Sequence, residues 1–355
     1  MAQITSAAVE TGRSVGRYFT VISMVPSLLF VLYVYALFEA GAWSGAFEPS
    51  KALRAFESLN VGRIVALITA TLLLGLVLHP FQFPITQLLE GYWGASSIGL
   101  ALARHRILHY RRIARALDDA AEYADEKWKG AVETARGKRD DVASENPQER
   151  ERNNVLYLDA EGGDPMLAYY LRAQAAHAAR QQYPAYGRRM MPTRLGNVLR
   201  RDEDKSGRQY GLNILRIAPH LNLVAVKEHR EYVDDCRKGL DLSVRLCALF
   251  ALATALSIGL LASDGAWLLL ALAPYCVSYL AYRGAISSAQ AYGTALSTLV
   301  DLNRFALYDQ LHIPSPSTTV VEQNRNEQLL KLLSNKPPYF LRYARSKKAD
   351  SSAAT

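Results

Sequence analysis

The chain is expected to fold as an all-α membrane protein, with four transmembrane helices arranged as two helical hairpins. A large cytoplasmic helical insertion separates the hairpins, and long stalk helices run on continuously from the spans. Three observations point to this class. Long apolar runs alternate with strongly charged stretches, so a mean hydropathy near zero over 355 residues conceals two kinds of segment. Four of the runs reach roughly the 20 residues that a helix needs to cross a bilayer. Lys and Arg gather on one set of flanks, as they do beside the cytoplasmic ends of spans.

Residues 1–90 carry an N-terminal segment and the first two spans. The first runs from Tyr18 to Ala42, and its apolar body exceeds the roughly 7 to 15 residues of a secretory signal. That length favours a retained span; a cleaved leader ending at Ala40 to Ala42 is the alternative. The second runs from Ile64 to about Pro84 and ends in "LHPFQFPITQLLEGYW". Pro80 and Pro84 each remove a backbone donor, which makes a fixed kink or a hinge. Residues 240–282 hold the third span, Leu240 to Leu261, and the fourth, Trp267 to Tyr282. Only "ASDGA" separates them, enough for a tight turn and therefore a hairpin.

Orientation follows from the flanks. Arg13 and Arg17 precede the first span, while Arg104, Arg106, Arg111, Arg112 and Arg115 follow the second. Arg237, Lys238 and Arg283 border the hairpin, and the opposite side is nearly neutral. Both termini and residues 91–239 are thus expected in the cytoplasm of a bacterial inner membrane. The net charge of +8 then reads as a topology signal with affinity for anionic headgroups, and it argues against a nucleic-acid partner. Thirty Arg against eleven Lys suit a GC-rich bacterial genome. Of the three cysteines, Cys236 is cytoplasmic and Cys247 and Cys276 fall within spans, so no disulfide framework is expected.

The insertion, residues 91–239, reads as helical. Ile98, Leu102, Ile107, Ile113 and Leu117 recur at roughly helical spacing after the second span, and no proline interrupts them before about Lys138. A polar loop with "VLYLDAEGGDP" follows, then a helix from near Met166. A long helix from about Val224 is expected to enter the third span directly. The fourth span continues as a stalk over residues 283–316, to about Leu311, where Pro314 and Pro316 stop it. Residues 317–355 add a short amphipathic stretch and a disordered tail, with Lys347 and Lys348 as weak lipid contacts.

Small residues recur every four positions on two stalks: Gly91, Ala95, Gly99 and Ala103, then Ala285, Ala289, Gly293 and Ser297, with Ala281 ahead of them. Such seams let backbones approach closely, within one chain or between subunits of a homo-oligomer. Between the helices lies "RRMMPTRLGNVLRR", residues 188–201. Pro192 ends what precedes it, Thr193 is placed to cap a short helix, and Leu195, Val198 and Leu199 bury one side. Gly207 and Gly211 supply a helix stop and a turn downstream. Arg194, Arg200 and Arg201 are candidate contacts for a headgroup or a protein partner, against the plainer reading of a solvated basic face.

Catalytic patterns are scarce: no GxxxxGK[ST] loop, no GxSxG elbow and no HExxH. His105 and His109 share a helix face and are weak candidates for a metal, lacking a third ligand nearby. Asp159, Glu161 and Asp164 form an acidic loop, read as solvated. The span centres show only Ser, Thr, Tyr, Cys and Pro among their polar residues, which speaks against ion-coupled transport.

"MPTRLGNVLRRDED", "YGLN" and "LLEGYWG" together resemble segments of a group of uncharacterised bacterial integral-membrane proteins of high-GC lineages. The resemblance covers about Tyr18 to Pro314. It implies the membrane topology and no activity, so no role passes to Thr193, Asn197 or Glu90. The expected function is a non-enzymatic, cofactor-free membrane module that self-associates through its stalks and couples the bilayer to a cytoplasmic partner. The alternatives are an oligomeric channel lined by Ser23, Ser27, Thr69, Thr71 and Ser278, and a lipid-active enzyme using the His105 and His109 face.

Overall fold

The structure is a computed structural model that describes residues 24–43, 47–141, 163–338 and 340–343, without side chains at 135–141 and 163–166. The start of the first expected span, Arg13, Arg17, the acidic-loop side chains of Asp159, Glu161 and Asp164, and Lys347 and Lys348 lie outside the described residues. Every regular element among the described residues is a helix. The chain divides into two compact units, residues 1–92 with 202–355, and residues 93–201. The second unit is therefore shorter than the expected insertion of 91–239, because residues 202–239 fold with the first.

In the first unit, α1 (Val25–Glu39), α2 (Pro49–Glu57), α3 (Val61–Leu78) and α4 (Gln82–Glu90) come first. Helix α3 starts at Asn60, whose side chain accepts the Arg63 N–H at 2.8 Å. Its apolar run is long enough to cross a bilayer, yet only 11% of it is buried. An apolar surface this open is untenable in water and ordinary in lipid. Two further helices meet the same test: α9 (Lys227–Leu261), and α10 (Leu272–Gln310) with the 3₁₀ turn Gly265–Ala271 before it. Helix α1 is apolar, but its 15 residues make it shorter than a full crossing. The chain is thus an all-helical protein with three candidate membrane-spanning helices.

Helices α9 and α10 form the expected antiparallel hairpin and pack along their lengths. Close approach is possible because small residues face each other. A Cβ added to Gly239 would lie 3.7 Å from Ser288 Oγ, and one on Gly284 would lie 3.5 Å from Ser243 Oγ. Helix α1 covers one side, with Phe30 against Leu249, Phe250 and Ala253. At one end of the bundle, Leu37, Ala40, Phe47 and Ala52 close around Leu261. At the far end of α10, Ile214, Ile217 and Leu221 of α8 (Ile214–Val224) pack with Ala295, Leu299, Val300 and Leu307.

Helices α9 and α10 run unbroken between charged and apolar sequence, the continuity expected of the stalks joined to the third and fourth runs. That continuity fails for the second. A turn around Pro80 ends α3, and α4 ends at Gly91, which takes a left-handed conformation at φ 104°. Gly94 follows at φ 77°. Two glycines with positive φ terminate a helix more firmly than the surrounding small residues extend it.

In the second unit, α5 (Ser97–Asp141) and α6 (Gly163–Arg180) lie antiparallel. Trp128 meets Tyr170, Asp125 meets His177 at 2.9 Å, and Asp118 meets Arg180 at 2.8 Å. Tyr110, Ala114, Tyr183 and Met190 form its core. Helix α7 (Arg194–Lys205) follows a 3₁₀ turn at Gly187–Arg189 and carries the chain back to the first unit.

Candidate functional site

The apolar part of α9 begins with buried charge. Asp241 and Arg245, one turn apart, are only 5% and 2% exposed. Gln82 joins them from the first turn of α4: its Nε2 donates to the Asp241 carbonyl at 3.1 Å, and Arg245 Nε donates to its Oε1 at 3.0 Å. Arg237 Nε stands 3.9 Å from Asp241 Oδ2 on the solvent side. The turn around Pro80 is what brings Gln82 to α9, and Pro84 sits in the first turn of α4, where its missing N–H costs nothing. A guanidinium keeps its proton in proteins, so Arg245 is a permanent buried charge, with Gln82 Oε1 as an acceptor.

This cluster was missed by sequence reasoning, which weighed the span centres and found only neutral polar groups there. The available signal was Asp241 and Arg245 at i and i+4, at the mouth of an apolar run.

In the 188–201 segment the main organiser is Asn197, which has no exposed surface. The Met191 N–H donates to its Oδ1 at 2.8 Å, while its Nδ2 donates to the carbonyls of Met191 at 2.9 Å and Thr193 at 2.8 Å. One side chain thereby satisfies the main chain on both sides of Pro192. Thr193 caps α7 as expected, its Oγ1 accepting the Gly196 N–H at 3.0 Å. Arg194 donates to Gln182 Oε1, and Arg200 reaches Met191 Sδ at 3.9 Å. Arg194, Arg200 and Arg201 are all half-buried. Burial pushes the Tyr183 phenol up, while Arg194 pulls it down and Tyr110 adds to the rise.

The "YGLN" segment serves a different joint. Gly211, at φ 71°, lies so close to the Gln323 backbone that an added Cβ would stand 3.1 Å from it. Asn213 caps α8 by accepting the Leu215 N–H at 3.1 Å. The Gln323 in question belongs to α11 (Thr319–Leu333), which a buried polar cluster fixes. Glu322 Oε1 accepts from Arg304 Nε at 3.0 Å and from Tyr308 Oη at 2.9 Å. Asn326 donates to Tyr308 Oη at 2.6 Å and to the Tyr210 carbonyl at 2.8 Å, while Arg304 stacks 4.1 Å over the Tyr210 ring.

The remaining candidates do not converge. His105 and His109 are both exposed on α5, and among the described residues no three His, Cys, Asp or Glu side chains are grouped to hold a metal. Of the first small-residue seam, Gly91 caps α4 and Ala95 lies in the connection, so only Gly99 and Ala103 share a helix. An added Gly99 Cβ would collide with the Trp93 carbonyl. The second seam is occupied within the chain. Ala285, Ala289 and Gly293 are buried, Gly293 lies against the Asp202 side chain, and Ser297 Oγ is 2.9 Å from Ser206 Oγ. Comparison with known proteins finds no family model, no curated protein and no solved structure that matches the chain.

Proposed function

We propose that the chain is a non-enzymatic membrane module that self-associates and couples the bilayer to a partner in the cytoplasm. One observation carries the reading. Helices α9 and α10 are continuous from apolar into charged sequence and packed together throughout, so a displacement at one end of the pair is felt at the other. In this reading the bilayer is a bacterial inner membrane, and α1 with the residues before it makes the fourth crossing. The arginine-rich flanks support a cytoplasmic side for both termini and residues 91–239. The second seam is filled by the chain's own side chains, so association falls to the open apolar face of α3.

Three of the expected pore-lining residues, Ser27, Thr71 and Ser278, are turned into the protein. Thr71 Oγ1 donates to the Leu67 carbonyl at 2.8 Å, Ser278 Oγ donates to the Cys247 carbonyl at 2.9 Å, and Ser27 is fully buried. These polar groups are satisfied inside one protomer. The test is ion flux from liposomes containing the purified protein, with oligomeric mass recorded on the same sample. A silent oligomer is expected. Flux that disappears on substitution at Pro80 or Gly99 overturns the reading in favour of a channel, and a silent monomer removes self-association.

A further inference from the structure

One cleft in the second unit gathers cations without a matching number of carboxylates. It lies between α5, the C-terminal end of α6 and the loop around Gly187, and encloses about 430 Å³. Four arginines line it, Arg111, Arg115, Arg180 and Arg188, with Asp118 as the lone acid. The rest of the wall is small or apolar, so the guanidinium groups define its chemistry.

The arginines have different duties. Arg180 is committed: its Nε donates to Asp118 Oδ1 at 2.8 Å, and its Nη1 donates to the carbonyls of Tyr183 and Pro184 at 3.4 and 3.3 Å. Arg111 Nε donates to the Gly187 carbonyl at 2.8 Å, which draws the loop and Arg188 over the cleft and leaves its terminal amines unused by that bond. Arg188 lies 5.8 Å from the Tyr186 ring. Arg115, one turn beyond Arg111 on α5, has no hydrogen-bond or ion-pair partner among the described residues.

Four like charges around one concavity repel one another, and such a site concentrates anions. The planar fork of each guanidinium matches the oxygens of a phosphate group in pairs. The volume lies within the roughly 300 to 1,000 Å³ of small-molecule sites and admits a phosphate group with a small attached moiety. Further along the same helix pair the wall turns acidic, with Glu122, Asp125 and Glu126. A long polyanion laid along α5 would meet those carboxylates, so the ligand is compact.

We infer that this cleft binds a phosphate-bearing anion, presented by a lipid headgroup or by a free phosphorylated solute. The site stands on its own geometry, whatever the oligomeric state. The test uses the full chain in two arms. In detergent micelles at fixed ionic strength, inorganic pyrophosphate is titrated by calorimetry. In nanodiscs of phosphatidylcholine, with or without phosphatidylglycerol, hydrogen exchange is followed over residues 107–118 and 183–190.

The Arg115→Gln/Arg188→Gln variant, at two exposed positions, should weaken pyrophosphate binding about 10- to 100-fold, or abolish protection by phosphatidylglycerol. Arg112→Gln, exposed on the same helix and outside the cleft, should change neither. A response to pyrophosphate alone identifies a soluble ligand. A response to phosphatidylglycerol alone identifies a headgroup. Equal weakening by Arg112→Gln would mean that only net charge matters and would overturn the site, as would the absence of any response in both arms.

Discussion

Asn197 makes three hydrogen bonds to the main chain from a position with no solvent access. Asn197→Ala would leave the Met191 N–H and carbonyl without their side-chain partner, at about 1 to 3 kcal/mol for each group that water does not reach, while the Thr193 carbonyl keeps the main-chain N–H of residue 197. A loss of about 2 to 4 kcal/mol is expected, read as a lower thermal midpoint of the purified protein. Asn197→Asp should be no better, since a carboxylate would face the two carbonyls. The helix pair α9 and α10 offers a sharper contrast at two glycines. At Gly239 an added methyl meets only Ser288 Oγ at 3.7 Å, an ordinary contact. Gly239→Ala should therefore stabilise by about 0.5 to 1 kcal/mol through helix propensity. At Gly293 the same methyl overlaps the buried Asp202 side chain, so Gly293→Ala should destabilise. Equal midpoints for the two variants would sink the steric account. The Thr193 cap and the left-handed Gly207 and Gly211 were legible in the sequence, because each depends on residues within a few positions. Asn197 was not, although its partners lie only four and six positions away, since no sequence pattern marks a side chain that bridges the main chain across Pro192.

Among the elements, α11 has the least visible rationale in the sequence and a specific one in the structure. "EQNRNEQLLKLL" shows an amphipathic stretch, but its anchor, Glu322, works through Arg304 and Tyr308 on α10, and Asn326 reaches back to Tyr210. Those partners lie up to 116 positions away in the chain, beyond the reach of pattern reading. Removing the carboxylate leaves Arg304 without its buried partner, a change of about 3 to 5 kcal/mol in such settings. Glu322→Ala should thus release α11, seen as faster hydrogen exchange over Thr319–Leu333 with α9 unchanged. Glu322→Gln keeps an acceptor for Tyr308 and should fall between. Unaltered exchange in both variants would show that Leu329 and its neighbours hold α11 without the ion pair. The broken second stalk teaches a related point. Small residues at four-residue spacing look like one helix face, yet Gly91 and Gly94 adopt positive φ and stop the helix between them. Spacing alone did not distinguish a seam from a cap.

At the scale of the molecule, hydropathy disclosed the helical class and three candidate membrane-spanning helices, because bilayer thickness acts on long segments rather than on particular contacts. The structure adds two fixed ends to the first unit. At one end Leu261 is enclosed by Phe47 and Ala52, next to Lys51. At the other, Gln82 meets Asp241 and Arg245, close to Lys238. Along α9 from Asp241 to Leu261 the rise is about 30 Å at ~1.5 Å per residue, the thickness of a hydrocarbon core. Lys51 and Lys238 should therefore emerge on opposite faces of a membrane. Single cysteines Lys51→Cys and Lys238→Cys, introduced after replacement of Cys236, Cys247 and Cys276, would be labelled in intact cells by an impermeant maleimide. Lys51→Cys should react from outside, and Lys238→Cys only after the membrane is opened. The opposite pattern would invert the proposed topology while keeping the span. Labelling of both from outside would mean that α9 does not cross, and its apolar half would then have to be covered by protein.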